Sequence, residues 1–168
     1  PSGKIAEAVA LAEQSDLAIV IAGVSTTSES EGRDRADLEL YGDQNALIEA
    51  VAKVNKNTIV VFTSDHGYHL GEKGHWQKQT LYDRATRVPL IISGPGIISG
   101  LKIKDSPVEL VDLYKTIMDM ANVSIPEFVQ GFSLKDVLTK NTQSKRKSAL
   151  SEINVYLEGK KAQGYSIK

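Results

Sequence analysis

The sequence predicts an α/β fold, a three-layer α/β/α sandwich with a mainly parallel sheet of the flavodoxin- or Rossmann-like kind. Apolar runs at residues 17–22, 58–63 and 88–93 are typical of buried strands. Amphipathic segments alternate with these runs, and short polar or glycine-rich stretches separate them. Because parallel strands need crossovers, the alternation predicts helices that connect successive strands in a right-handed sense.

Apolar spacing predicts the helices. Asp43 is the expected N-cap of the second helix and Ser106 that of the fourth. The predicted helices cover residues 5–12, 44–54, 79–86, 107–121 and 133–138. Residues 148–153 are expected to add a fourth strand to the sheet, and residues 97–103 and 165–168 to form shorter strands, some of them at an antiparallel edge.

Composition excludes several classes of function. The formal net charge of the 168 residues is −1, which favours neither nucleic acid nor a membrane surface as partner. The short basic run at residues 145–147 is interpreted as a solvated loop, with a phosphate-binding patch as the alternative. The absence of cysteine excludes disulfides and thiolate chemistry. A soluble chain is expected, its compartment is left open, and the start at Pro1 favours a recombinant or processed chain.

All three histidines lie within ten residues that follow the strand predicted at residues 58–63. Asp65 and His66 come directly after the carboxyl end of that strand, where side chains reach the crevice above a parallel sheet. A carboxylate beside an imidazole suits a divalent cation. His75 and Lys78 could neutralise a sulfate or phosphate anion.

Simpler roles exist for the same residues. Asp65 could cap the following turn, and His66 and His69 could form hydrogen bonds within the loop. Trp76 could anchor the loop by packing. Three histidines among closely spaced glycines nevertheless favour a loop derived from a functional site.

The loop and its surroundings resemble a known family. Residues 57–96 read NTIVVFTSDHGYHLGEKGHWQKQTLYDRATRVPLIISGPG and resemble the carboxyl-terminal half of type I sulfatases, best the iduronate-sulfatase-like branch of the alkaline phosphatase superfamily. The resemblance continues through SPVELVDLYKTI (106–117), QGFSL (130–134) and GYSI (164–167). It implies that Asp65 and His66 are calcium ligands, that Lys78 contacts sulfate, and that His75 lies beside the sulfate or contacts substrate.

Two parts of a sulfatase site are missing from these residues. The family uses a formylglycine made from cysteine or serine in a Cys/Ser-x-Pro/Ala-x-Arg motif, and this chain has no such motif. It also lacks the paired aspartates that complete the metal site. Two protein ligands leave most of a calcium shell to water, so no tightly bound cofactor is expected and calcium binding should be weak. Without the nucleophile, covalent catalysis has no route.

The first third resembles a different family. Residues 7–23, the pattern ESEGRDR at 29–35 and residues 38–51 resemble the flavodoxin-like α/β domain of family 3 glycoside hydrolases. The resemblance implies that Glu31, or less readily Glu29, is a general acid/base. The second carboxylate that a glycosidase needs belongs to a domain absent here, so a solvated acidic loop is favoured.

These observations give an interpretation of the whole chain. Residues 1–168 are expected to form one domain, built from a glycosidase-like fragment (1–61) and a sulfatase-like fragment (57–168) joined near residues 55–61. The favoured hypothesis is an engineered or assembled chimeric scaffold without catalytic activity. The alternatives are a vestigial cation and sulfate site, and residual sulfuric-ester hydrolysis. Uncovered apolar surface would promote oligomers.

Overall fold

The computed structural model describes residues 3–23, 37, 39–103 and 106–168. None of the helices in these ranges is long and apolar enough to cross a membrane. The helices are α1 (Gly3–Glu13), α2 (Gln44–Val54), α3 (Asp83–Thr86), α4 (Val111–Met120) and α5 (Lys135–Lys140). The strands are β1 (Ala18–Ile19), β2 (Thr58–Thr63), β3 (His69–Leu70), β4 (Trp76–Gln77), β5 (Leu90–Ser93), β6 (Leu150–Leu157) and β7 (Lys160–Ile167).

The chain divides into two compact units, residues 1–60 with 92–95 and residues 61–91 with 96–168. In the first unit, Ala12, Ala18 and Val51 form a buried cluster between α1, α2 and β1. Asn55, itself buried, donates from its side-chain amide to the carbonyls of Ala12 and Ser15, at 2.8 Å each. These bonds satisfy the carbonyls at the end of α1 and hold α2 against it.

The parallel character of the sheet is confirmed for its first pair of strands. β1 pairs with β2 in parallel, with Ala18 beside Thr58 and Ile19 beside Ile59. The strand order is β1-β2-β5. Gly94 follows β5, and a Cβ there would lie 3.2 Å from the Thr58 carbonyl oxygen, so glycine permits the close approach of the two backbones.

The prediction that residues 148–153 add a fourth strand to this sheet is wrong. β6 instead forms an antiparallel hairpin with β7, from Leu150 opposite Ile167 to Leu157 opposite Lys160. The run at residues 148–153 therefore belongs to a separate two-stranded sheet. Alternation of polar and apolar residues favours a strand but does not identify its partner, because pairing depends on residues distant in sequence. The fold is α/β, and the three-layer sandwich is not seen in the described residues, whose sheets contain three, two and two strands.

Several helix and strand boundaries also differ from the prediction. The fourth helix begins at Val111, five residues beyond Ser106, and Asp43 precedes α2 without a side-chain capping bond. Residues 97–103 form no strand, and the helix expected at 79–86 is limited to Asp83–Thr86. The α2 and β2 predictions match the structure over their full lengths. Of the loop expected at residues 23–40, only 23, 37, 39 and 40 are described.

Apolar side chains remain uncovered on the described strands of the three-stranded sheet. Ile19 on β1, Phe62 on β2 and Ile91 on β5 are 53%, 59% and 60% exposed. Such surface promotes association. Oligomer formation therefore stays a prediction.

An ion cluster holds the second unit together. The Asp112 carboxylate is fully buried and accepts bonds from Arg146 Nε (2.8 Å) and Nη2 (2.6 Å). It also accepts the backbone N–H groups of Glu109 (3.0 Å) and Phe132 (2.8 Å). Arg146 Nη1 lies 2.6 Å from Glu109 Oε2, so the guanidinium bridges two carboxylates. Every lone pair of Asp112 that faces the interior thus has a donor, which is the condition for burying a charge.

Candidate functional site

The segment that runs from the end of β2 to the residue after β4 carries Asp65, His66, His75 and Lys78, which are predicted to form a site. Asp65 and His66 follow β2, and the chain then forms the short hairpin of β3 and β4. His69 lies opposite Gln77 in that hairpin. Asp65 and His66 precede His69 by a few residues, and Lys78 directly follows Gln77. Because the strands are antiparallel, the predicted cation ligands and the predicted sulfate ligand lie towards the same open end of the hairpin.

Asp65 and His66 are close together in the structure. Asp65 is exposed, and its Oδ2 lies 3.6 Å from His66 Nε2, beyond hydrogen-bond distance. The Asp65 Oδ1 atom accepts the His66 backbone N–H at 3.0 Å. The alternative role of Asp65, a cap on the following turn, is therefore present as well.

The hydrogen bond of the His66 ring fixes its tautomer. Nδ1 lies 2.9 Å from the Gly67 carbonyl oxygen, which can only accept, so Nδ1 carries the proton. In the neutral ring Nε2 then has a free lone pair, and this nitrogen lies 3.6 Å from Asp65 Oδ2. Two electron-rich atoms 3.6 Å apart fit neighbouring ligands of one cation, since calcium–oxygen distances of about 2.4 Å place adjacent ligands roughly 3.4 Å apart.

Gly67 lets this turn rest directly on α3. Its N–H donates to the Ala85 carbonyl at 2.8 Å. A Cβ at Gly67 would lie 1.9 Å from the Arg84 carbonyl oxygen, far inside contact distance. The glycine that follows His66 is thus required by the packing of this turn against α3.

His69 is an internal support rather than an exposed ligand. It is fully buried, and its Nε2 lies 2.7 Å from Thr80 Oγ1. Thr80 Oγ1 also accepts the Tyr82 N–H at 3.3 Å, and the Thr80 N–H donates to the Lys78 carbonyl at 2.8 Å. The contact therefore fixes the backbone at Lys78 against β3. The interpretation of His69 as a hydrogen-bonding loop residue agrees with this geometry, but no sequence pattern pointed to Thr80 as its partner.

His75 lies in a cluster of rings. Its ring centroid is 5.8 Å from that of His69 and 5.6 Å from that of Tyr82. The Lys73 ammonium lies 4.9 Å from the Tyr82 ring centroid, a cation–π distance. Trp76 is 66% exposed, although its ring approaches Gly71. Tyr82 is the residue of this cluster that the sequence did not single out.

Glu72 closes the tip of the hairpin. It accepts the Leu70 N–H at 2.8 Å and lies 3.1 Å from Arg84 Nε. The Leu70 N–H is the main reason that the pKa of Glu72 lies below its ordinary value, and Arg84 acts in the same direction. Glu72 therefore stays ionised as a structural acceptor.

We expect that Thr80→Val lowers the free energy of unfolding by about 1–3 kcal/mol, because His69 loses its partner while remaining buried. Thr80→Ser keeps the hydroxyl and should lower the free energy of unfolding much less. Urea unfolding followed by circular dichroism measures both. Equal losses for valine and serine would show that the hydroxyl does not matter.

The described residues do not complete the predicted site. Glu29 and Glu31 lie outside the described residues. Lys78 is partly buried and directly follows β4. Within the described ranges no cluster of three or more histidine, aspartate or glutamate side chains could hold a metal ion. Asp65 and His66 thus form an incomplete ligand set among those residues.

The fold and this loop define an α/β protein with a carboxylate–imidazole pair at the carboxyl end of a central strand. The Sulfatase family model matches residues 35–123, more than half of the chain, and the chain belongs to the sulfatase family. A protein named Sulfatase from Formosa agariphila is 37% identical over 110 residues, which are 66% of this chain and 22% of that protein.

Solved structures agree with the family assignment. A putative sulfatase from Bacteroides thetaiotaomicron has a TM-score of 0.66 and 27% identity over 74% of this chain and 28% of that chain. The structure of BT4656 in complex with its substrate D-glucosamine-2-N,6-O-disulfate has a TM-score of 0.58 and 33% identity, over 75% of this chain and 27% of that chain. The chain thus spans about a quarter of these structures and 22% of the Formosa relative.

These findings correct the favoured hypothesis. The prediction of an engineered or assembled chimeric scaffold is wrong, because the relatives are natural sulfatases and the family match begins at residue 35, well before the expected junction. They give no support for a glycoside hydrolase segment. A strand that follows an amphipathic helix occurs in many α/β families, so local patterns in residues 1–61 were a weak guide to ancestry.

Proposed function

We propose that this chain contributes one side of the active site of a sulfuric-ester hydrolase. Asp65 and His66 bind a divalent cation, and Lys78, with His75 nearby, binds the sulfate group. The position of His66 Nε2, 3.6 Å from Asp65 Oδ2, carries the proposal, because a ring nitrogen and a carboxylate oxygen at that separation can both contact one cation. Family membership supports the same assignment.

A bound cation would offset the negative charge of the sulfate group and stabilise charge that develops on its oxygens. Lys78 adds a positive charge at the end of the hairpin, and the His69–Thr80 contact holds its backbone in place. Gly67 keeps the Asp65–His66 turn against α3. These residues bind and orient the sulfate ester.

The nucleophile is not among these residues. The formylglycine motif implied by the family resemblance is absent from the 168 residues. The chain spans 22% of the Formosa sulfatase, so this absence does not bear on the activity of longer family members. Sulfated sugars are the proposed substrate class, supported by the disulfated glucosamine bound in the similar BT4656 structure.

Calcium titration tests the cation site. Two protein ligands predict a dissociation constant on the order of 1 mM, and calcium at ten times that value should stabilise the fold by about 1.4 kcal/mol. We expect a rise in the thermal midpoint with calcium that Asp65→Asn and His66→Gln each abolish.

Asp136→Asn is the matched control, because Asp136 is also an exposed aspartate but pairs with Lys140 on α5. It should keep the full response to calcium. A calcium response unchanged in Asp65→Asn, or its absence in the unmodified chain, would contradict the cation site. Loss of sulfate binding in Lys78→Met, measured by calorimetry, tests the anion side separately.

A further inference from the structure

The backbone of Lys78 is linked to the start of α3 by two hydrogen bonds. The Thr80 N–H donates to the Lys78 carbonyl at 2.8 Å. The Tyr82 N–H donates to Thr80 Oγ1 at 3.3 Å, and Tyr82 directly precedes Asp83, the first residue of α3. Because these contacts are contiguous, a displacement of α3 should reach Lys78 through Thr80.

The β6–β7 hairpin packs against the same segment. Gly164 on β7 lies opposite Ile153 on β6. A Cβ at Gly164 would lie 3.2 Å from Leu81 Cδ1 and 3.4 Å from Ile153 Cγ2. The half-buried side chain of Leu81 therefore approaches the hairpin at a point where β7 has no side chain. The glycine thus permits the hairpin to come close to the residues between Lys78 and α3.

Lys168, which directly follows β7, joins the hairpin to both ends of α3. Its ammonium group pairs with the Asp83 carboxylate and donates to Thr86 Oγ1 at 3.3 Å. Asp83 and Thr86 are the first and last residues of α3. The backbone of Lys168 is itself fixed, because its N–H donates to the Ala149 carbonyl at 3.0 Å and its carbonyl accepts the Ala149 N–H at 2.8 Å. One side chain therefore restrains α3 relative to the hairpin.

This ion pair is better suited to positioning α3 than to stabilising the whole fold. The Lys168 and Asp83 side chains are 44% and 65% exposed. Exposed pairs contribute little to the free energy of unfolding, because water solvates both partners when they separate. In contrast, α3 has four residues, of which Ala85 is buried, so contacts at its ends have a large share in fixing its position.

We propose that Lys168 is a positioning residue for the sulfate-binding Lys78 and acts through Asp83 and α3. The inference rests on the proposed function of Lys78. Lys168 restrains α3 and does not itself contact sulfate. The hydrogen bonds of Tyr82 and Thr80 transmit this restraint to Lys78. Loss of the ion pair gives the backbone at Lys78 more freedom, which must be lost again on binding, so sulfate binding weakens while the fold persists.

Calorimetry with sodium sulfate tests the proposal in two variants that change the charge in opposite directions. Lys168→Met removes a positive charge, and Asp83→Asn removes a negative one. We expect each to weaken sulfate binding by about threefold, which is within the range for the loss of an exposed ion pair. Lys168→Arg keeps a cation that can pair with Asp83 and should restore most of the affinity.

The paired variants separate positioning from electrostatics. If the charges acted only through their field at the sulfate, Asp83→Asn would tighten binding, because it removes a negative charge. Lys161→Met is the matched control, since Lys161 is an exposed lysine of β7 that lies opposite Tyr156 and its loss leaves the Lys168–Asp83 pair in place. It should bind sulfate as the unmodified chain does. The thermal midpoint without sulfate should fall only slightly in all these variants.

Two results would overturn the inference. Sulfate binding could be unchanged in both Lys168→Met and Asp83→Asn, or it could weaken in Lys168→Met and tighten in Asp83→Asn. Lys78→Met separates these results from a failure of the proposed function. If Lys78→Met loses sulfate binding and the other two variants keep it, Lys78 binds sulfate without help from Lys168. Sulfate binding that is absent from the unmodified chain, or unchanged in Lys78→Met, would contradict both proposals.

Discussion

Replacing Arg146 with methionine should lower the free energy of unfolding by about 3–5 kcal/mol, the usual cost of leaving a buried charge without its partner. Asp112 would remain fully buried with only two backbone N–H donors, from Glu109 and Phe132. Glu109 would lose its ion pair as well. Urea unfolding measures the loss, and Arg146→Lys, which keeps the charge but not the two-pronged geometry, should give an intermediate value.

The same cluster predicts how stability depends on pH. Burial alone would raise the pKa of Asp112, but the bonds from Arg146, Glu109 and Phe132 outweigh it and hold the pKa below its ordinary value. A lowered pKa in the folded state stabilises the fold above the unfolded pKa of about 3.9, and this contribution disappears as the pH falls through the folded value. The decrease in the free energy of unfolding on acidification should therefore be smaller in Arg146→Met than in the unmodified chain.

Lys147→Met serves as the control for this experiment, because Lys147 is the exposed neighbour of Arg146. Its stability and acid response should match those of the unmodified chain. If Arg146→Met were as stable as Lys147→Met, the ion cluster would not hold the second unit together.

Gly67→Ala is expected to have the second large effect. The added methyl group would lie 1.9 Å from the Arg84 carbonyl oxygen and 2.9 Å from its carbonyl carbon. Backbone cannot move aside as a flexible side chain can, so the turn must leave α3 and break the 2.8 Å bond from Gly67 N to the Ala85 carbonyl. Overpacking of this kind costs about 1–3 kcal/mol, and the lost bond adds about 1 kcal/mol.

The displaced turn carries Asp65 and His66, so Gly67→Ala should also abolish the calcium-dependent rise in the thermal midpoint. Gly3→Ala is the control, since a Cβ at Gly3 meets nothing within 4 Å and alanine favours the helix there. A Gly67→Ala variant with unchanged stability and unchanged calcium response would contradict the tight packing against α3.

The sequence alone predicted those elements whose formation depends on residues close together along the chain. The apolar period of residues 44–54 and the β-branched run at 58–63 identified α2 and β2 over their full lengths. The same region placed Asp65 and His66 after a strand end, and the family resemblance of residues 57–96 agrees with the Sulfatase match. The catalytic use of these residues, in contrast, remains a proposal.

Only the tertiary structure decided the long-range pairings. Residues 148–153 read as a strand, but their pairing with β7 depends on residues that follow a turn. The partner of His69, the contact of Gly67 with Arg84 and the burial of Arg146 within a basic run are likewise set by segments distant in sequence. Periodicity reports the face that a residue presents, whereas the atoms that meet that face depend on how the elements pack together.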